Sequence, residues 1–446
     1  MAARLARISH RVTAAAAQCS ALTGVRSVGQ LDVVSTTPAR PSVANASHHT
    51  ALNSLATRPC EKFGLACLLR VLPWLLAAML LSACGGTSNL APPSPLPKLE
   101  NNLPVEKVWR QHATRGVGKY YLKLRPYVAK ARVFAADYKG RVVAHRMENG
   151  KRIWQVETGQ PITAGVNGGE GVIVVGAESG DLIGLSADSG DQRWKQHLNS
   201  QVMAVSSVSQ GVLVARSGDG YIYGISADSG DILWKLLKRT PALSLHLQSE
   251  PLLTHGVAFI GLDNGELIMV SLLEGRVLWE KVVALGRGST ELDRMVDIDG
   301  QLAFSDGVIY VATYQGKVAA IDAARARVLW LEDFSTVNGL AVDDKALYVT
   351  DEDSVVWARD KRTGAALWKQ EALKFRRLTA PAVWQSRVVV GDFEGYIHFL
   401  NEDSGRLEGR VRADHKGVLS APLPVDDSLI VLGQGGKLSR WRLPAE

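Results

Sequence analysis

The stretch Val172–Trp194 reads VIVVGAESGDLIGLSADSGDQRW, and its pattern returns along the chain at a nearly constant interval. Each copy has an apolar run, a glycine, a second apolar run, a polar turn and a tryptophan. The glycine and the tryptophan lie fourteen residues apart in Gly140/Trp154, Gly180/Trp194, Gly220/Trp234, Gly265/Trp279 and Gly316/Trp330. A period near forty residues is typical of repeat folds, and short strands at that period predict propeller blades.

Three further copies of the pattern are incomplete. Ser354 replaces the glycine that precedes Trp368, Gly409 replaces the seventh tryptophan, and the chain ends soon after Gly436. The last copy therefore lacks an outer strand, whereas the segment 105–110 carries a tryptophan without a preceding copy. We predict that this N-terminal strand completes the last blade, because closure by both termini removes open sheet edges.

The predicted fold is all-β, an eight-bladed β-propeller over residues 105–446 with four antiparallel strands in each blade. We expect the recurrent tryptophans to be structural, because a large flat side chain packs well between neighbouring sheets. The positions with this role are Trp109, Trp154, Trp194, Trp234, Trp279, Trp330 and Trp368. The propeller is expected to be monomeric.

Residues 61–83 have the features of a signal peptide. The apolar stretch 71–81 follows two basic residues and is too short for a membrane span. It ends in Leu81-Ser82-Ala83-Cys84-Gly85, which resembles a bacterial lipobox. That resemblance implies cleavage before Cys84 and acylation of this residue, hence a stable lipid anchor. The alternative is an ordinary signal peptide followed by an incidental cysteine.

The segments on either side of the signal peptide are expected to lie outside the propeller. Residues 1–60 are rich in Ala, Ser and Thr, and we interpret them as an extraneous or disordered extension from a misassigned start. An organelle transit peptide is the alternative interpretation. Residues 84–104 contain five prolines and are expected to form an extended, semi-rigid tether. No aspartate follows Cys84, which favours the outer membrane and its periplasmic face over the inner membrane.

The composition excludes several classes of function. The net charge is +7, but residues 1–83 hold eight Lys/Arg and two Asp/Glu, which leaves 43 against 42 in the remainder. The propeller is therefore near neutral and has no nucleic-acid footprint in its net charge. All four cysteines lie at or before Cys84, so the propeller has no disulfide, thiolate catalyst or Cys-based metal site.

We find no motif for catalysis, a metal or a cofactor. The chain lacks G-x-S-x-G, a phosphate loop and H-E-x-x-H, and its histidines show no metal-ligand spacing. The acidic stretches 297–299 and 351–353 resemble the start of a calcium loop but lack its glycine and its final glutamate. The sequence therefore predicts a protein that is not an enzyme.

Two consecutive intervals of the repeat are long. The successive spacings from Trp154 to Trp368 are 40, 40, 45, 51 and 38 residues, which places insertions at 236–248 and 281–300. Insertions between blades emerge on one face of a propeller, and that face is commonly the binding face. The first insertion alternates leucines and the second is acidic, a combination that suits protein docking. The alternative is that the leucines cap the propeller core.

Two local stretches, together with the lipobox and the eight repeats, resemble the BamB family, the propeller lipoproteins of the β-barrel assembly machinery. The stretch 288–294, GSTELDR, precedes Asp297-Ile298-Asp299 as in the family's corresponding loop. The stretch 389–398, VVGDFEGYIH, is similar to a second family motif. The resemblance covers about residues 80–446.

The resemblance implies a scaffold of the outer membrane β-barrel assembly (BAM) complex that binds the periplasmic POTRA domains of BamA and assists unfolded outer-membrane proteins. The family's contact positions correspond to Leu243, Leu245, His246, Asp297 and Asp299. His246 stands where the family has arginine, so we also consider Arg294 for that charged contact.

Two other functions remain open at this point. Quinone-dependent dehydrogenases share the eight-bladed fold, but they resemble one another in an adjacent cysteine pair and a calcium–quinone site that this chain lacks. A propeller lipoprotein that docks to a different envelope complex is the second alternative.

Overall fold

Each repeat folds into a separate four-stranded antiparallel sheet, and the eight sheets follow one another as the blades of a propeller. The structure is a computed structural model, and it describes residues 91–99, 102–241, 243–245 and 249–444. The signal peptide, Cys84 and residues 1–60 lie outside the described residues, so their assignments remain predictions. The predicted all-β, eight-bladed fold is confirmed.

Blade 1 contains β2 (Tyr127–Ala129), β3 (Arg132–Ala136), β4 (Arg141–Arg146) and β5 (Arg152–Glu157). Blade 2 contains β6 (Ile162–Gly169), β7 (Val172–Ala177), β8 (Asp181–Ser186) and β9 (Gln192–His197). Blade 3 contains β10 (Val202–Val205), β11 (Val212–Ser217), β12 (Tyr221–Ser226) and β13 (Ile232–Leu237). Blade 4 contains β14 (Leu252–Thr254), β15 (Val257–Gly261), β16 (Glu266–Ser271) and β17 (Val277–Val282).

Blade 5 contains β18 (Ala303–Ser305), β19 (Val308–Ala312), β20 (Gly316–Asp322) and β21 (Arg327–Phe334). Blade 6 contains β22 (Leu340–Val342), β23 (Ala346–Thr350), β24 (Val356–Asp360) and β25 (Ala366–Gln370). Blade 7 contains β26 (Ala382–Val383), β27 (Arg387–Gly391), β28 (Tyr396–Asn401) and β29 (Leu407–Arg412). Blade 8 contains β30 (Leu423–Val425), β31 (Ser428–Leu432), β32 (Lys437–Arg442) and β1 (Glu106–His112).

The ring closes as the sequence predicts. The N-terminal strand β1 pairs antiparallel with β32 and becomes the outer strand of blade 8, with Trp109 opposite Arg440. The indole of Trp109 donates a hydrogen bond to the carbonyl of Met147 in blade 1, 2.8 Å away. The first and the last strand of the propeller therefore belong to one sheet, and that sheet is joined to the first complete blade.

The repeat tryptophans join neighbouring blades. Each indole Nε1 donates to a backbone carbonyl at the turn between the third and fourth strands of the next blade, over 2.8–3.1 Å. The apolar core lies in the same gaps, where, for example, Trp194 shares a buried cluster with Leu213, Tyr223 and Ile225 of blade 3. A buried donor without a partner would be costly, so the carbonyl fixes where each indole lies.

The turn beneath six of the seven repeat tryptophans contains a glycine that leaves room for the ring. Gly230 has φ +82°, and a Cβ at this position would lie 2.7 Å from the ring of Trp194. Five other glycines have a positive φ and would bring a Cβ within 2.8 Å of a tryptophan ring: Gly150, Gly190, Gly275, Gly364 and Gly405. Blade 5 has Ala326 in the corresponding turn, at φ +55°. The glycine therefore supplies both the turn conformation and the room for the indole.

Blade 7 has no repeat tryptophan on its outer strand, and the N-terminal strap, residues 92–99 and 102–105, covers that strand instead. The Leu103 amide donates to the carbonyl of Glu408, 2.8 Å away, and a Cβ at Gly409 would lie 2.6 Å from the Leu103 Cβ. Farther back, the Ser94 amide donates to the Lys374 carbonyl, 2.9 Å away. Part of the stretch predicted to be a tether is thus held against the blade.

We expect Gly230→Ala to lower the free energy of unfolding by about 1–3 kcal/mol, because it adds both backbone strain and overlap with the indole of Trp194. Urea unfolding followed by tryptophan fluorescence measures this change. Ala326→Gly is the matched substitution in the opposite direction and should stabilise the protein by roughly 0.5–1 kcal/mol. Equal effects of the two substitutions would contradict this role of the turn.

Candidate docking surface on the face with the long connections

Both predicted insertions connect an outer strand to the inner strand of the next blade. The first occupies 238–251 between β13 and β14, and the second occupies 283–302 between β17 and β18. Their predicted first residues, Leu236 and Lys281, still belong to β13 and β17. Because neighbouring strands run in opposite directions, all connections of this kind leave the ring on the same face.

A third long connection, residues 113–126, lies on this face between β1 and β2 and was not among the predicted insertions. The sequence carries a signal for this connection. Trp109 and Trp154 are 45 residues apart, which equals the spacing of the two tryptophans on either side of the first insertion. Trp109 has no preceding copy of the pattern, so this interval falls outside the spacings between Trp154 and Trp368. The connections 113–126, 238–251 and 283–302 together form the surface that we call the docking face.

The connection 113–126 reaches across to loops of distant blades. The Lys123 Nζ donates to the carbonyl of Val337 at 2.6 Å and to Asn338 Oδ1 at 3.2 Å. Arg125 forms an ion pair with Glu250, 3.5 Å away, in the connection 238–251. These contacts join blade 1, the first insertion and the loop before blade 6 around one small polar cavity.

Apolar side chains are exposed on this face. Leu285 is 70% exposed, Tyr121 53% and Leu243 37%, whereas Leu245 is half-buried. Large apolar groups that remain in water mark interaction surfaces when they are close together. His246 lies outside the described residues, so its predicted contact stays a prediction.

Asp297 and Asp299, two of the contact positions that the family resemblance implies, are not exposed in the structure, and their contact with a partner stays a prediction. Their exposed fractions are 0% and 3%. Ile298 between them is fully buried and packs onto Gly261 of β15, which draws both aspartates into the protein. The Asp297 Oδ2 accepts a hydrogen bond from the backbone amide of Leu245. The aspartates therefore lie beneath the docking face, and Asp297 binds the leucine connection directly.

Burial shifts the pKa values of Asp297, Asp299 and Lys123. It raises the pKa of Asp297 to about 7, with a further increase from nearby Asp263, and it raises the pKa of Asp299 well above its usual range. Burial also lowers the pKa of Lys123 to about 8. Asp263 has its own cation, Arg216, at 2.7 Å. Simultaneous ionisation of Asp297 and Asp299 at neutral pH is thus disfavoured.

The stretch 288–294 forms a turn that is stabilised by hydrogen bonds between its own residues. The Thr290 amide donates to Asp293 Oδ2 at 3.3 Å, and the Asp293 amide donates to Thr290 Oγ1 at 3.2 Å. Arg294 is exposed, donates from Nε to the carbonyl of Gly288 at 3.1 Å and pairs with Glu291 at 3.5 Å. The turn therefore presents Arg294 at the edge of the docking face.

The stretch 389–398 holds blade 7 together from inside. Asp392 is fully buried and accepts hydrogen bonds from Arg376 Nε at 2.9 Å and from His398 Nε2 at 3.0 Å. The amides of Glu394 and Tyr396 donate to its other oxygen at 3.0 and 2.9 Å. Although burial opposes ionisation, these partners lower the pKa of Asp392. This motif is therefore structural and does not belong to the docking face.

Within the described ranges, no three His, Cys, Asp or Glu side chains gather as they would around a metal ion. In the same part of the chain, no helix combines the length and apolar character needed to cross a bilayer.

The comparison with known proteins decides the family. A family model described as outer membrane protein assembly factor BamB matches residues 138–370. The chain is 44% identical over 371 residues to the outer membrane protein assembly factor BamB of Pseudomonas aeruginosa, which covers 82% of this chain and 98% of that protein. The chain belongs to the BamB family.

The BamB of Moraxella catarrhalis has a crystal structure that matches with a TM-score of 0.70 and 26% identity, over 76% of this chain and 99% of that one. The quinohemoprotein alcohol dehydrogenase of Comamonas testosteroni matches with a TM-score of 0.60 and 14% identity, over 77% of each chain. At that identity the enzyme shares the fold alone.

We expect Asp392→Asn to lower the free energy of unfolding by about 3–5 kcal/mol, because Arg376 would be left buried without its full counter-charge. Since the folded pKa of Asp392 is depressed, its stabilisation is present above the unfolded pKa near 4 and is lost as the pH falls through the folded value. Urea unfolding at pH 7 and at acid pH measures both effects.

The matched control is Asp228→Asn, which removes an exposed carboxylate that pairs with Arg193 at 2.7 Å. A surface ion pair contributes about 0–1 kcal/mol, so this variant should unfold almost like the wild type. A loss in Asp392→Asn no larger than in Asp228→Asn would contradict the structural role of the buried motif.

Proposed function

We propose that this chain is a non-enzymatic scaffold subunit of the BAM complex, an outer membrane protein assembly factor that binds the POTRA domains of BamA. The observation that carries the proposal is the pairing of family membership along most of the chain with one face that gathers three long connections. Connections tolerate insertion and exposed apolar side chains without disturbing the blades, so binding residues concentrate there.

The proposed contact with BamA combines apolar and charged groups. Leu243 and Leu285 supply exposed apolar area for the centre of the contact. In an interface, a polar rim shields such an apolar centre from water. Arg294 at the edge supplies a charge for register, together with His246. Leu245 is held by Asp297 from below, which gives this aspartate a positioning role in the folded ring.

Unfolded outer-membrane proteins are the proposed clients, and the outer strands of blades 3 to 6 are the proposed contact. These strands expose a series of large apolar side chains: Ile232, Leu233, Leu237, Leu278, Val282, Leu329, Leu331 and Leu367. An exposed strand edge pairs with an extended chain by backbone hydrogen bonds. A crosslinking scan along these strands tests the idea, and an absence of client crosslinks at all of them would reject it.

We also propose that acylated Cys84 anchors the protein to the periplasmic face of the outer membrane. The lipobox-like sequence before Cys84 supports this proposal, as does the proline-rich stretch that follows it. Several acyl chains on one residue are enough for stable anchoring, because each buried CH₂ contributes about 0.8 kcal/mol.

No specific observation favours the two alternative functions. The likeness to quinohemoprotein dehydrogenases is a likeness of fold at 14% identity. Docking to another envelope complex would use the same face, so a capture experiment distinguishes it from BamA binding.

Leu243→Asp should weaken binding to the POTRA domains by at least about tenfold, because it places a charge in the apolar centre of the proposed contact. The measurement is a titration of POTRA domains onto the immobilised protein. Leu273→Asp is the matched control, since Leu273 is 58% exposed in the turn between β16 and β17, on the opposite face of the same blade. Equal binding by the two variants would show that the contact lies elsewhere on the ring.

Cys84→Ser should abolish incorporation of labelled palmitate and shift the protein from the membrane fraction to the soluble periplasmic fraction. The conservative substitution removes the acylated thiol while leaving the rest of the chain unchanged. Cys67→Ser, in the predicted signal peptide, is the control and should retain the label. Membrane association of Cys84→Ser at the wild-type level would contradict the lipid anchor.

A further inference from the structure

Three of the four side-chain oxygens of Asp297 and Asp299 have no hydrogen-bond partner among the described residues. Both side-chain oxygens of Asp299 and the Oδ1 of Asp297 are buried and accept no hydrogen bond from the residues that the structure describes. Asp299 lines the small polar cavity that Lys123 and Glu250 also line. An ionised carboxylate that is buried without donors is far costlier than a protonated carboxyl group in the same place, so this geometry favours the neutral form.

Among the described residues, the only hydrogen bond that links these carboxyls to the connection 238–251 is the one from the Leu245 amide to Asp297 Oδ2. The same connection buries Ser244, whose hydroxyl also has no partner in the described part of the chain. Other titratable or charged groups around the pair come from several elements: Lys123, Arg125, Arg216, Glu250, Asp263 and Tyr314. Asp263 and Glu250 have Arg216 and Arg125 as counter-charges, so Lys123 is left for Asp299.

We propose that Asp297, Asp299 and Lys123 form a proton-dependent latch that holds residues 243–245 closed while the two carboxyls are neutral. Opening of these residues hydrates and ionises the carboxyls and makes them available to a cationic side chain of the docking partner. The latch reconciles the burial of both aspartates with their proposed part in docking, and in that respect it rests on the proposed function.

The direction of the pH dependence follows from the burial, which outweighs the opposite effect of the Leu245 amide on the pKa of Asp297. A carboxyl with a raised folded pKa stabilises the closed state fully below its open-state pKa, near 4, and loses that contribution as the pH rises through the folded value. For Asp297 that value is about 7, and for Asp299 it lies well above the usual range. The closed state is therefore most stable in acid and loosens through neutral pH. Lys123 opposes this loss because its charge favours ionised Asp299.

Hydrogen exchange of the full-length protein, followed by mass spectrometry on the peptide that contains residues 243–245, tests the latch. After correction for intrinsic exchange, protection should fall about tenfold between about pH 5 and pH 8.5, while a peptide from β11 keeps its protection. Asp299→Asn should flatten this profile, since it removes one ionisable group at constant shape. Lys123→Met should deepen the loss of protection at alkaline pH, because removal of the lysine charge raises the folded pKa of Asp299 further.

Asp293→Asn is the matched control, because Asp293 lies in the same connection, is only half-buried and has a lowered pKa. It should reproduce the wild-type profile. A wild-type profile that stays flat, or equal profiles for Asp299→Asn and Asp293→Asn, would overturn the latch. If Asp299→Asn unfolds, the deeper loss of protection in Lys123→Met decides, and an unchanged profile in that variant would overturn the latch. Because this readout needs no partner, a failure of the POTRA titration would reject the proposed function and leave the latch standing.

Discussion

The hydrogen bond from each repeat indole to a carbonyl of the next blade is the contact on which the ring depends. A single blade cannot bury both of its faces, so it is stable only between neighbours. The tryptophan spans the gap with its apolar body and satisfies its one donor on the far side, which fixes the neighbour's position as well as its distance. The turn glycine below it, as at Gly230, is the other half of the same contact.

Ring closure then assigns roles to the chain ends. Trp109 reaches Met147 from a strand that comes before the first complete repeat, so the last blade exists only when both ends are in place. Leu103 covers the outer strand where blade 7 has Gly409 instead of tryptophan. The segment that follows the predicted anchor is therefore part of the propeller's own structure, and a lipid anchor at Cys84 would be separated from the strap by only a few residues.

The proposed binding residues lie in the connections, because the packed strands of the blades tolerate few changes of sequence. The three long connections form one face, and Arg125 with Glu250 joins two of them. The acidic pair 297–299 shows how strongly packing can redirect a motif. Its central isoleucine is drawn into the core, and the carboxyls follow it below the surface that they were expected to occupy.

The sequence by itself determined the repeat, the number of blades, the closing strand and the two insertions, because strand and turn signals are local and recur at a constant spacing. It also predicted that the recurrent tryptophans are structural. Only the tertiary structure decided which groups on the docking face reach solvent, that residues 113–126 belong to this face, and that the 389–398 motif braces blade 7 from within. These outcomes depend on contacts between residues far apart in the chain, such as Lys123 with Val337 and Leu245 with Asp297, and no local pattern encodes such pairs.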